Sequence, residues 1–192
     1  MELLDAFDTA QAEFGRLVHR VGADQWSADT PCAQWTVRDL VNHLTSEHLW
    51  APWLLEGATL EEVGDRYDGD VLDGHPVDSW DAAASRSHAA FHVPSALDPD
   101  VRVHTSGGPS PVTEYAWQMT TDLTVHSWDL ARGLGEPDEL DEELTRTVHQ
   151  RIAPQVDTWQ GLGIFDPPVE VPASAGPTER LVALLGRDPR QT

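Results

Sequence analysis

Asp122, His126 and Asp129 lie within one nine-residue run, DLTVHSWDL, from 122 to 130. At about 100° per helical residue the three fall within roughly 60° of one another. Tyr115 and Met119 share that stripe, so it is expected to face the core. Ionisable side chains turned inward need a partner. For a carboxylate and an imidazole one turn apart, a divalent metal is an economical one. Both are ligand types that suit zinc or a similar ion.

A catalytic zinc site generally takes three protein ligands and keeps one position open. Of the nine histidines, the eight besides His126 compete for the third place. His43 is the best candidate, beside Leu40 and Leu44 at the edge of an inward stripe on a second helix. The alternative is a core histidine bonded to a backbone carbonyl. Glu47, one turn beyond His43, reads as a fourth ligand or a base near the open position, or else as a rim carboxylate paired with arginine. The stretch from His43 to His48 is one residue off the inverted zinc-protease spacing and is not read as that motif. His48 falls near the inward face. His19, His88, His92, His104 and His149 show no partner at ligand spacing and are expected on the surface or in loops. Asp129 either orients a ligand or pairs with Arg38 or Arg132. Trp35, Trp50, Trp53, Trp117 and Trp128 cluster in sequence around these helices, mostly as packing residues, with Trp50 a candidate to line a cleft.

These residues need elements to hold them. Leu3, Phe7, Ala10, Phe14, Leu17 and Val21 recur at spacings of 3 and 4, predicting a helix over about 2–22. Thr36 followed by Asp39 is a capping signal that opens a second helix to about Leu55. The segment 56–76 reads as a loop. Asp78 caps a third helix through about Phe91. Residues 94–112 read as a loop or small hairpin. The site motif occupies a fourth helix, about 113–132, stopped by the GLGEP run from Gly133 to Pro137. A fifth helix is predicted from Leu140 to about Gln160, an extended tail over 165–172, and a short closing helix from Pro177 to Leu185. Strand signal is scarce, so the fold class is all-α, a helical bundle.

The length of 192 residues fits one domain, 1–192. The chain has 12 basic residues, all arginine, against 33 acidic ones, a formal net charge of −21. Such a surface repels phosphate backbones and anionic lipid, so neither nucleic acid nor membrane is an expected partner. Cys32 is the single cysteine, which excludes an internal disulfide. It lies in the loop before the second helix, where a turn or packing role is expected. No signal peptide pattern opens the chain and no apolar run approaches the ~20 residues of a membrane span. A soluble cytoplasmic protein is expected.

The run from Thr30 to His43, TPCAQWTVRDLVNH, resembles the opening of a family of actinobacterial metal-binding proteins. That family is related to the N-terminal domain of mycothiol-dependent maleylpyruvate isomerase, in the DinB-like four-helix superfamily. The segment from Asp122 to Arg132 resembles its second metal segment. The runs Phe165 to Pro172 and Arg180 to Pro189 are similar to its C-terminal signature. The resemblance implies a DinB-like four-helix bundle holding one divalent metal, usually zinc, through His43, Asp122 and His126. It also implies thiol chemistry: mycothiol as cosubstrate, held as a metal-bound thiolate and added to a small electrophile, as in an S-transferase or isomerase. The isomerase has glutamate where Asp122 stands, and its second domain supplies an arginine that this chain, ending at Thr192, does not carry. The resemblance therefore implies the fold and metal site, and not maleylpyruvate isomerisation itself. Two other readings stand beside it: a non-catalytic metal- or ligand-sensing domain, and a metal-dependent hydrolase.

Overall fold

Periodic apolar residues become four long helices in a computed structural model that describes residues 1–33, 35–161 and 163–191. Helix α1 (Leu3–Val18) buries Phe7, Ala10, Phe14 and Leu17 at the predicted spacings. Helix α2 (Val37–Leu55) starts at a reciprocal cap: Thr36 Oγ1 accepts from the Asp39 amide, and Asp39 Oδ2 accepts from the Thr36 amide at 2.9 Å. Its inward face carries Leu40, Val41, Leu44 and Ala51.

The segment read as a loop from 56 to 76 contains one short helix, α3 (Leu60–Val63). Thr59 and Glu62 form a second capping box around it, a local signal that a four-residue element is too short to show by periodicity. Helix α4 (Pro76–Phe91) begins two residues before Asp78, because proline at the first helical position needs no amide partner and has its φ preset. A hairpin follows, β1 (Arg102–Thr105) against β2 (Gly108–Pro111), antiparallel with Thr105 opposite Gly108. Gly108 takes φ 101° at the turn, where a side chain would be strained.

Helix α5 (Val112–Leu134) is the central element, and it stops at Gly135 in the left-handed conformation. Both faces of this helix are largely enclosed, so its buried hydroxyls depend on partners within the protein, and three of them find one in the helix itself. Thr120, Thr124 and Ser127 each donate to the carbonyl four residues back, at 2.7–2.8 Å. Gly133 lets the loop before α2 lie against α5: a Cβ there would stand 3.2 Å from the Asp29 carbonyl and from Val37.

The predicted helix from Leu140 to Gln160 is two helices, α6 (Glu142–Ile152) and α7 (Val156–Gly161). Pro154 sits between them; it lacks an amide hydrogen and its ring clashes with the preceding turn. The 165–172 tail is extended and irregular, and α8 (Pro177–Leu184) closes the described chain. Helix α1 packs chiefly on α5, α2 on α4, and α6 on α8. One apolar cluster joins α1, α2, α4, α5 and α6. Among the described residues no helix is long and apolar enough to cross a membrane.

Candidate metal centre

Helix α5 presents Asp122, His126 and Asp129 along one inward stripe, and α2 brings His43 to it. His43 Nε2 lies 2.9 Å from Asp122 Oδ2, and His126 Nε2 lies 3.4 Å from Asp122 Oδ1. One ligand atom from each of the three sits within 4.8 Å of the others. The imidazoles meet edge to face, with centroids 5.4 Å apart. Trp35 covers both rings, its centroid 4.9 Å from His43 and 5.7 Å from His126. Thr30 fixes that loop by donating its hydroxyl to the Trp35 carbonyl at 2.9 Å.

Behind His126 stands Asp129, fully buried. Its Oδ2 accepts from His126 Nδ1 at 2.9 Å. Arg187 clamps the same carboxylate, Nη2 to Oδ2 at 2.8 Å and Nε to Oδ1 at 3.2 Å. The expected pairing of Asp129 with Arg38 or Arg132 is incorrect. Arg38 binds Asp70 at 2.7 Å, and Arg132 binds Asp138 at 3.0 Å. Asp129 points into the core, and the arginine that reaches it comes from the C-terminal segment, 58 residues away. No helical spacing could reveal that partner.

This donor set fits a zinc-type ion. With His126 Nδ1–H committed to Asp129, Nε2 on the Asp122 side is the nitrogen that would give up its proton and offer a lone pair to an ion. Two neutral imidazoles and one carboxylate carry a single negative charge, which a divalent ion offsets. Electrostatics within the cluster are strong. Burial opposes ionisation of Asp122, yet His43 and His126 hold its carboxyl well below the usual range. Burial works against the His126 imidazolium too, but Asp122 and then Asp129 outweigh it and raise the group to about 9. His43 shifts the same way, its burial outweighed by Asp122.

A cleft of about 400 Å³ opens on this cluster. His43, Asp122 and Glu47 share its wall with Tyr115, Thr121 and Trp159. Burial pushes the Glu47 carboxyl upward, and the Asp122 carboxylate adds to this. The Tyr115 Oη and Thr121 Oγ1 atoms are buried and have no hydrogen-bond partner among the described residues. Buried polar groups without a partner are uncommon and costly, and both of these belong to residues that line the cleft. Phe165 packs on Trp159, ring centroids 5.8 Å apart, to form an apolar side.

The remaining candidates disperse. His48 is fully buried against Phe7 and Trp80, apart from the cluster. Trp50 and Trp53 pack on Tyr67, and Trp53 Nε1 donates to its hydroxyl at 2.8 Å, so Trp50 does not line the cleft. Trp128 is buried with Leu140 and Val182. Cys32 is half-buried near His126 and Asp129, and burial followed by the Asp129 carboxylate pushes its thiol up to about 11. A thiol so disfavoured as thiolate is a poor nucleophile, consistent with packing. His19 pairs with Asp81 at the surface. His88 and His92 do have a partner at ligand spacing: they lie one turn apart and both face Asp8 of α1. Trp159 and Arg187 were not singled out by the sequence. Tyr115 was visible only as a member of the α5 stripe.

Comparison with known proteins adds the ancestry. Residues 7–131 match the family described as the mycothiol maleylpyruvate isomerase N-terminal domain. The chain belongs to that family. Its relatives include uncharacterized proteins from two strains of Mycobacterium tuberculosis, 31% identical over 199 residues, covering 99% of this chain and all of theirs. A crystal structure of the mycothiol-dependent maleylpyruvate isomerase superposes with a TM-score of 0.61 at 15% identity. The match covers 85% of this chain and 73% of that one. At that identity it establishes the fold alone, a DinB-like bundle; the match over residues 7–131 shows the relation to the isomerase N-terminal domain expected from the sequence.

Proposed function

We propose that His43, Asp122 and His126 hold a divalent ion, most naturally zinc, and that the chain is a metal-dependent enzyme joining a low-molecular-weight thiol of the mycothiol type to a small electrophile. One observation carries this reading. Three ligand-type atoms converge within 4.8 Å, and two of the residues that carry them, His43 and Asp122, line a cleft beside the Glu47 carboxylate. Membership of a family named for a mycothiol-dependent isomerase supplies the thiol.

A divalent ion held by these residues would supply Lewis acidity that favours the thiolate form of a bound thiol, or the ionised form of bound water. The chain's own groups do the rest. Asp129, held by Arg187, fixes the His126 tautomer. Glu47 accepts the thiol proton at its carboxylate, and its raised affinity for protons suits that task. Trp35 packs against both imidazoles and helps to hold their orientation. The sulfur electron pair then forms the new C–S bond while the electrophile's π bond opens, and the proton held by Glu47 passes to the atom that receives those π electrons.

The test is turnover of model electrophiles by zinc-loaded protein, with and without mycothiol. Thiol-dependent turnover that disappears on chelation supports the reading. Turnover that ignores the thiol gives precedence to a hydrolase using the same ion and Glu47.

A further inference from the structure

We infer that Asp8, His88 and His92 form a second divalent-metal site, bridging α1 to the C-terminal end of α4 and separate from the cluster on α2 and α5. His88 lies in the last turn of α4 and His92 at its C-cap. Their rings stack at 15° with centroids 4.0 Å apart. Both Nε2 atoms face one carboxylate: His88 at 3.4 Å from Asp8 Oδ1, His92 at 3.2 Å from Asp8 Oδ2.

The hydrogen-bond inventory is what points to an ion. His92 Nδ1 lies 2.9 Å from the His88 carbonyl oxygen, which can only accept. The ring proton is therefore on Nδ1, and the neutral ring turns an Nε2 lone pair toward Asp8. Asp8 Oδ1 is shielded from solvent and receives no hydrogen bond among the described residues. Lone pairs on nitrogen and carboxylate oxygen repel unless a cation lies between them. An extra proton on His92 satisfies Oδ2 alone: His88 Nε2, 3.4 Å from Oδ1, makes no hydrogen bond to it even in the tautomer that places its proton there. Extra protons on both rings put two like charges face to face at the 4.0 Å stacking distance. One divalent ion satisfies every group at once, since the three ligand atoms lie within 4.8 Å of one another.

Three further features favour a cation here. The carbonyl end of a helix carries partial negative charge. The net charge of −21 raises the local concentration of cations. Two imidazoles one turn apart with a carboxylate select zinc, copper(II) or nickel(II) over magnesium or calcium, which prefer all-oxygen shells. The three side chains are 32–46% exposed, so an ion reaches them directly from solvent and water completes its shell.

Zinc titration by chelator competition tests this, using the intact chain. Wild type should take up two ions, each with a dissociation constant at or below the order of 10 µM. Asp8→Ala and the double variant His88→Ala/His92→Ala should take up one, and His126→Ala also one. The combination of Asp8→Ala with His126→Ala should take up none. The changes at Asp8, His88 and His92 are at the surface and are expected to leave helical circular dichroism intact, and the same measurement checks the fold of the buried His126→Ala variant. Copper(II) bound to the His126→Ala protein should show spin resonance coupling to two imidazole nitrogens, reduced to one by His92→Ala. Zinc uptake unchanged by Asp8→Ala and by the double variant overturns the second site. If uptake is lost with Asp8→Ala but unaffected by His126→Ala, the second site stands and the α2–α5 reading fails.

Discussion

Asp129 Oδ2 accepts a hydrogen bond from His126 Nδ1 at 2.9 Å while receiving Arg187 Nη2 at 2.8 Å. This relation ties the C-terminal segment to the candidate metal centre through one buried carboxylate. Arg187→Met keeps most of the side-chain volume and removes the charge, leaving Asp129 buried against His126 alone. Breaking a buried pair from one side costs about 3–5 kcal/mol. Loss of an outer partner of a ligating histidine lowers metal affinity by about 10–100-fold. Urea unfolding and chelator competition check the two effects, and unaltered zinc affinity in a folded variant would remove Arg187 from the account.

His48 gives the pH dependence. Burial pushes its imidazole down to about 3, against an ordinary value of 6.5. The unfolded chain binds this proton more readily, so the contribution to stability is fully present above pH 6.5. It falls as pH drops from there toward 3, at about 1.4 kcal/mol per pH unit. Between pH 7 and 5 the loss from this group is about 2 kcal/mol. Unfolding midpoints of wild type and His48→Gln across that range measure it, with the variant expected to show the shallower acid limb. Parallel curves would contradict the assignment.

Glu47→Gln keeps the shape of the cleft and removes the proton acceptor. Zinc content should be retained, and thiol-dependent turnover should fall by about 10²–10⁴-fold. The pH profile should lose the limb that reports this carboxyl. Full activity in the variant would leave Glu47 as a wall of the cleft and nothing more.

Much of this was legible in the sequence because it is periodic. The α5 stripe follows from 100° per residue, and the Thr36–Asp39 cap from a three-residue spacing. The helix over 140–160 was over-read because apolar spacing continues on both sides of Pro154, whose missing amide ends it. Arg187 and Asp8 were not legible as partners. Each meets its site from a distant segment, 58 residues away for Arg187 and 84 for the Asp8–His92 contact, where packing alone sets the register. The one-turn spacing of His88 and His92 was present in the sequence, and Asp8 gives it meaning.

Removing metal should lower the thermal midpoint without unfolding the chain. The apolar cluster formed by α1, α2, α4, α5 and α6 contains no metal ligand, unlike a zinc finger that folds only with its ion. At free zinc 100 times the dissociation constant, each site adds about 2.7 kcal/mol. Scans with zinc and with chelator check this. Loss of helical circular dichroism on chelation at 25 °C would show that the metal builds the fold.

Calorimetric titration of mycothiol into zinc-loaded wild type, chelated wild type and zinc-treated His126→Ala tests the central claim most directly. Binding should be strong in the first and at least ~10-fold weaker in the other two, a difference of about 1.4 kcal/mol or more. Equal affinity in all three would contradict the proposal that the ion at His43, Asp122 and His126 receives the thiol.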